Sequence, residues 1–190
     1  MTTVKITAAT PGAITADEAK LHARISGSAD DALLTRLIAV VHLEAEAELQ
    51  RSILPTVWEK RLPCFPARAI ELLYPTVTAV THIKYYDGSG TLITMDSADY
   101  QVDMLLAPAI VVPAPGDVWP STESERLGAV QIRYTAGWAD ANAVPAAVKQ
   151  WMLVRLAQLY EHREQVAIGG TIERMPYVDG LLDPYRVVKV

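Results

Sequence analysis

The 190-residue chain has only one cysteine, Cys64, and no run of basic residues or of apolar residues long enough to span a bilayer. A lone cysteine cannot form a disulfide or a CxxC zinc motif within the chain. A membrane span requires about 20 consecutive apolar residues, and the first residues lack the apolar core of a signal peptide. We therefore expect a cytosolic product that folds on its own hydrophobic core.

The chain also lacks a large excess of either charge. Its 17 Lys and Arg and 22 Asp and Glu are spread along the sequence, for a net charge of −5. Tight binding to DNA or to an anionic membrane needs a basic face, which this pattern lacks. Apolar residues make up 51% of the chain, which is typical of a globular protein. A chain of this length buries roughly 70% of its unfolded surface and needs no metal to fold.

Catalytic motifs are missing as well. The sequence contains no GxSxG, P-loop, HExxH or GxGxxG pattern. The four histidines are scattered, and the run from Glu161 to Glu164 is typical of a solvated helix end. Cys64 lies between Pro63 and Phe65, which predicts a buried and inert thiol. We predict no catalytic residue, no metal site, no cofactor and no enzymatic activity.

The N-terminal part has helical patterns over residues 14–52. The run Thr15 to Glu18 is a capping box, in which the hydroxyl and the carboxylate accept free backbone N–H groups at a helix start. This first helix is predicted to extend through Ile25. A second helix is predicted from Asp31 to Arg51, because apolar residues recur there at helical spacing. They are Leu34, Ile38, Val41, Ala45 and Leu49.

The apolar period changes from 3.6 to 2 after Pro55, which predicts a β-rich insert over residues 56–138. The turn sequence from Asp87 to Gly90 predicts a hairpin between its flanking strands. Short strands with tight turns favour an antiparallel sheet or a small barrel. The predicted strands are 56–62, 70–74, 77–86, 91–95, 100–104, 110–112 and 129–136, and residues 113–127 are predicted to form a loop.

The C-terminal part begins with a long apolar helix over residues 145–165, whose start suits Pro145. Gly169 and Gly170 then separate this helix from an apolar tail over residues 171–190. The predicted fold is α+β in one domain, residues 1–190. It consists of a helical bundle, with two N-terminal helices and one long C-terminal helix, an inserted antiparallel β-sheet and an extended C-terminal tail.

Several runs in a fixed order make this pattern specific. They are Ile14–Arg24, Asp30–Leu34, Thr56–Leu62, Ala98–Asp103, Tyr134–Trp138, Val144–Gln150, Leu159–Glu164 and Leu181–Val187. Together they resemble the head–tail connector proteins, also called adaptor or head-completion proteins, of long-tailed bacteriophages, prophages and gene-transfer particles. The resemblance covers nearly the whole chain, and its C-terminal portion matches best.

The resemblance implies a structural role in the virion, at the head–tail junction, after assembly in the cytoplasm of the bacterial host. Such proteins form a ring, commonly of twelve copies, under the portal protein, and an isolated copy can be a monomer. The ring extends the channel through which packaged DNA passes without specific binding. It also attaches a head-closure or other neck or tail protein, and it involves no membrane and no cofactor.

The candidate contact residues lie in the tail and the third helix. Following the family's habit of docking by its C-terminal segment, the tail is predicted to reach the portal, with folding back on its own bundle or contact with a neighbouring copy as alternatives. Trp151 and Arg155 are candidates for the ring interface, with burial inside one subunit equally open. The tail candidates are Leu181, Leu182, Pro184, Tyr185, Arg186 and Val187.

Three other assignments compete with this one. Another neck component, such as a head-closure or tail-terminator protein, would be more purely β. A small cytosolic enzyme of unknown chemistry would have a deep pocket with converging polar groups. A DNA-binding module would need a basic face.

Overall fold

A computed structural model of the chain describes residues 2–162, 178 and 180–187. Backbone contacts divide the chain into two compact units. The β unit comprises Met1–Ala9 and Pro55–Gly137, and the helical unit comprises Thr10–Leu54 and Trp138–Val190. The described residues form three α-helices and two antiparallel sheets, so the predicted mixed α+β class is confirmed. The assignment of residues 1–190 to one connector domain stays a prediction.

The helical unit contains α1 (Ala16–Ala23), α2 (Asp31–Leu49) and α3 (Ala146–Glu161). The predicted capping box starts α1: the Thr15 hydroxyl accepts from the Glu18 N–H at 3.1 Å, and the Glu18 carboxylate accepts from the Thr15 N–H at 2.6 Å. That second hydrogen bond is the main reason why the pKa of Glu18 lies below its usual value. Local sequence therefore determines where this helix begins.

Helix α2 buries the stripe that the spacing predicts. Its residues Leu34, Val41, Ala45 and Leu49 are fully buried and Ile38 nearly so. Helix α2 contacts α3, and α1 contacts both. The predicted break at Gly169 and Gly170, and the predicted end of the third helix at 165, lie outside the described residues.

The β unit contains eight strands in two antiparallel sheets, which confirms the antiparallel prediction. The first sheet has five strands in the order β1-β2-β8-β4-β5, and the second has three in the order β3-β7-β6. The predicted hairpin forms between β4 and β5. The strands are β1 (Thr2–Thr7), β2 (Thr56–Leu62), β3 (Ile70–Leu72), β4 (Val77–Tyr86), β5 (Leu92–Thr94), β6 (Tyr100–Asp103), β7 (Ala109–Pro113) and β8 (Val130–Ala136).

Strand β1 was not predicted, and it extends the five-stranded sheet by pairing antiparallel with β2. The alternation of Val4 and Ile6 with polar residues is the strand signal that the sequence carried. The run is short and lies far along the chain from its partner, so its pairing depends on tertiary structure.

One hydrophobic core lies between the two sheets. The side chains of Trp58, Ile83, Ile132 and Tyr134 enter it from the five-stranded sheet, and Val111 enters it from the three-stranded sheet. Successive residues of a strand point to opposite faces. The intervening residues of each sheet therefore form two outer faces that point away from this core.

The prediction for Cys64 was wrong, because its side chain is exposed. It follows the end of β2, where Leu62 takes the buried position. Phe65 then turns inward and stacks on Trp119 at 4.7 Å between ring centroids. Phe65 thus packs against the core, and the Cys64 thiol stays in solvent.

Candidate assembly surfaces

The C-terminal segment, residues 180–187, contains a 3₁₀ turn at Asp183–Tyr185. Its side chains alternate between buried and accessible positions. Leu182 is fully buried, whereas Pro184 and Arg186 are exposed. Leu181, Tyr185 and Val187 are half-buried. The segment therefore has an anchored side and an open side, and Leu182 belongs to the anchored one.

Backbone and side-chain contacts hold this segment against the end of α2. The Val187 N–H donates to the Leu49 carbonyl at 3.1 Å, which satisfies a carbonyl that the last turn of a helix leaves free. Arg186 lies 3.4 Å from Glu48, and the ring of Tyr185 meets the ring of Trp138 edge-on. The described part of the tail thus folds onto its own unit in the isolated chain.

The two candidates on α3 lie in different environments. Trp151 is 5% exposed, so its ring is buried within the chain. Arg155 is accessible, and its guanidinium donates to the Glu44 carboxylate at 2.7 Å. Glu44 and Glu48 each face an arginine, which offsets the negative charge that α2 presents.

An ion cluster that the sequence did not predict lies on the outer face of the five-stranded sheet. Glu59 is 1% exposed, and its carboxylate accepts from Arg61 at 2.8 Å and from Arg133 at 2.5 Å. Burial is the largest influence and raises the pKa of Glu59, but the hydrogen bonds from the two arginines outweigh it and lower that pKa overall. The carboxylate is therefore ionised and paired at neutral pH.

His82 adjoins this cluster on β4, directly opposite Arg133. Burial, and then the positive charges of Lys84 and Arg133, lower the pKa of His82. The imidazole is therefore neutral at pH 7, and the cations on this face are its arginines and lysine.

An open hollow of about 260 Å³ lies at β3 in the same unit. The Lys60 ammonium donates there to the main-chain carbonyl of Glu71. Burial lowers the pKa of Lys60, and the charge of Glu71 opposes that shift. Lys60 thus caps the free edge of the three-stranded sheet, a common way to keep an edge strand from pairing with another chain.

Within residues 2–162, 178 and 180–187, no group of three His, Cys, Asp or Glu side chains is placed to hold a metal ion. Among the helices of this described part, none has the length and apolar character needed to cross a membrane.

The structure groups the predicted tail residues on one short segment at the end of α2, and it places Trp151 and Arg155 separately on α3. The Glu59 cluster was missed because Glu59 and Arg133 are 74 residues apart in the chain. The signal available was the alternation of charged residues with core residues along Trp58–Leu62.

Solved structures share this fold over its full length. One is the neck of an empty gene transfer agent (GTA) particle computed with C6 symmetry, with a TM-score of 0.80, 24% sequence identity and coverage of 100% of this chain and 97% of that chain. The virion of the native GTA particle and the neck of the native particle computed with C12 symmetry match with a TM-score of 0.78 and the same identity and coverage. No family model and no curated protein matches the chain. The chain therefore has the fold of a protein found in the neck of a phage-like particle.

Proposed function

We propose that this chain is a structural subunit of the neck of a phage or phage-like particle, and specifically its head–tail connector. Copies of the chain form a ring under the portal protein, extend the DNA channel and attach the next neck or tail protein. The protein acts in the virion by shape and surface complementarity, without chemistry of its own.

One observation carries this proposal. The fold of the whole chain matches a GTA neck structure over 100% of this chain and 97% of that chain, at a TM-score of 0.80. Coverage this complete leaves little of either protein unaccounted for. The symmetric necks, computed with C6 and C12 symmetry, support a ring of repeated copies.

Two helices support the connector over other neck components. Helices α2 and α3 contain 19 and 16 residues. Head-closure and tail-terminator proteins were expected to be more purely β. The combination of a helical unit with a β sandwich therefore favours the connector.

The C-terminal segment is the proposed portal contact. Its anchored side, with Leu182 buried and Val187 bonded to Leu49, fixes the position of the 3₁₀ turn. Its open side presents Pro184 and Arg186 to a partner. A positioned turn binds at a smaller entropic cost than a free tail would. The proposed ring contacts on α3 are Arg155, which is accessible, and Trp151, which is 5% exposed.

The test uses the full-length chain and the portal protein of the same particle, mixed and imaged for rings. We expect the wild type to bind the portal. We expect Arg186→Glu to weaken that binding roughly tenfold, because it replaces a positive charge with a negative one at the contact. Arg36→Glu makes the same charge change at an exposed site on α2 and serves as the matched control.

Two results would contradict the proposal. A wild-type chain that fails to bind the portal contradicts the connector function. An Arg186→Glu variant that binds as tightly as Arg36→Glu contradicts the C-terminal contact alone. Point substitutions are preferable to deleting residues 181–190, because that deletion also removes the buried Leu182 and the bond to Leu49.

A further inference from the structure

One long interval of the β unit lacks positive charge. Between Lys84 and Arg126 the sequence contains no lysine or arginine. This interval includes β5, β6 and β7. Its acidic residues are Asp87, Asp96, Asp99, Asp103, Asp117, Glu123 and Glu125.

The basic face is the outer surface of the five-stranded sheet. Arg61 and Lys84 both lie opposite Gln131 of the central strand β8, on its two sides. Arg133 lies one row away, and Glu59 is the carboxylate within this group. Three cations and one buried carboxylate give these rows a net charge of about +2 at neutral pH. The arginine side chains remain accessible, at 53% for Arg61 and 36% for Arg133.

The acidic face is the outer surface of the three-stranded sheet. Ile110 of the central strand β7 lies between Glu71 of β3 and Asp103 of β6. Both carboxylate residues are exposed, and Ile110 is half-buried. Asp96 and Asp99 lie in the turn that leads into β6 and add to the negative charge on that edge. At the opposite edge, on β3, Lys60 donates to the carbonyl of Glu71, and Arg68 lines the hollow there.

We infer that these two faces bind each other between neighbouring copies of the chain, so that the basic face of one β unit meets the acidic face of the next. This inference rests on the proposed ring. A ring needs two different and complementary surfaces on every copy, because a surface that pairs with itself closes a dimer. Basic and acidic faces on one sandwich meet that requirement, and each face repels its own kind.

The experiment exchanges the charges of Lys84 and Asp103 in the full-length chain, with the portal present. Lys84→Glu alone reduces the net charge of the basic face from about +2 to about 0, and Asp103→Lys alone replaces a carboxylate of the acidic face with a cation, so each weakens the attraction across every contact. We expect complete rings to fall roughly tenfold in each case, while binding of single copies to the portal continues. The double variant, Lys84→Glu with Asp103→Lys, restores opposite charges and is expected to restore rings.

Mixing the two single variants gives a sharper readout. In an alternating ring, one contact pairs the two introduced side chains, which have opposite charges, and the next contact pairs the native Lys84 with the native Asp103. Rings should therefore form from the mixture and contain both variants in equal number, although neither variant forms them alone. Arg36→Glu is the control for net charge. Asp103→Lys also removes the hydrogen bond that Asp103 accepts from Leu105. Gln101→Lys adds a cation on the same face of β6 and keeps that bond, so it tests the added charge by itself.

The outcomes separate this inference from the proposed function. Single variants that form complete rings, or a folded double variant and a mixture that form none, overturn the inference and leave portal binding intact. If Lys84→Glu abolishes binding of duplex DNA and leaves rings unchanged, the basic face serves DNA and the inference is wrong. A wild type that neither binds the portal nor forms rings overturns both proposals.

Discussion

The two units of this chain use the same kinds of ion pair in different surroundings. In the β unit the carboxylate of Glu59 is 1% exposed between two arginines. In the helical unit the pair of Glu44 and Arg155 is 34% and 41% exposed. A buried charge that loses its partner cannot be solvated, whereas an exposed one can. Position in the fold, and not the types of the two residues, therefore decides how much stability is lost when an ion pair is broken.

The largest expected effect tests whether the two hydrophobic cores are equivalent. Ile132 in the β unit and Leu156 in the helical unit are both fully buried. We expect Ile132→Ala and Leu156→Ala each to lower the free energy of unfolding by about 2–5 kcal/mol, because each leaves a cavity. Urea unfolding followed by circular dichroism measures both. A loss below about 1 kcal/mol in one variant would show that its unit repacks and that the cores differ.

The next effect tests the ion pairs directly. Arg133→Met leaves the buried Glu59 with Arg61 alone and should cost about 2–4 kcal/mol of unfolding free energy. Arg155→Met leaves the accessible Glu44 in solvent and should cost less than about 1 kcal/mol. Both changes remove one charge and keep an apolar stem, so each is the control for the other. Equal losses of unfolding free energy in the two variants would contradict the claim that the buried ion pair contributes more than the accessible one.

Acid titration tests the contribution of the buried Glu59 pair to stability in a second way. The native pKa of Glu59 is lowered, so its contribution to stability is complete above the ordinary glutamate pKa of about 4.3 and is lost as pH falls through the native value. Arg133→Met removes the two hydrogen bonds that Arg133 donates to Glu59, which help to lower this pKa. Its acid-induced loss of stability should therefore be smaller than that of the wild type and should be complete at a higher pH. Unfolding midpoints measured from neutral to strongly acidic pH give the answer.

A smaller effect is expected at the start of α1, where stability comes from local hydrogen bonds. Thr15→Ala removes the hydroxyl that accepts from the Glu18 N–H, and should cost about 1 kcal/mol. Thr15→Ser retains that acceptor and should remain close to the wild type. Thermal unfolding of the three proteins compares them. Equal destabilisation by serine and alanine would mean that the methyl group, and not the cap, is the stabilising feature.

The smallest effect concerns His82 in the β unit. Its native pKa is lowered, so the folded state favours the neutral ring, and stability is complete above the ordinary histidine pKa of about 6.5 and declines as pH falls below it. His82→Gln should flatten this decline between about pH 7 and pH 5. A flat wild-type profile would contradict the role of His82.

Local pattern was enough to predict most elements of the fold. The strands β2 and β4 and the start of α1 agree with their predicted residues, because alternation and a capping box involve neighbouring residues only. Strand β1 was missed, since its strand identity depends on pairing with β2, which lies far along the chain. The predicted burial of Cys64 was also wrong, because whether a loop side chain is buried depends on which neighbouring side chain packs into the core.

The candidate surfaces divide in the same way. The sequence by itself determined the apolar stripe of α2, the helix and strand periods and the acidic interval after Lys84, all of which follow from order along the chain. Only the tertiary structure decided that Leu182 is an anchor and that Arg61 and Arg133 share one buried carboxylate. It also decided that Arg61 and Lys84 flank one position of β8, and that Glu71 and Asp103 flank one position of β7. These features join residues far apart in sequence, and burial and pairing exist only once the strands and helices have packed.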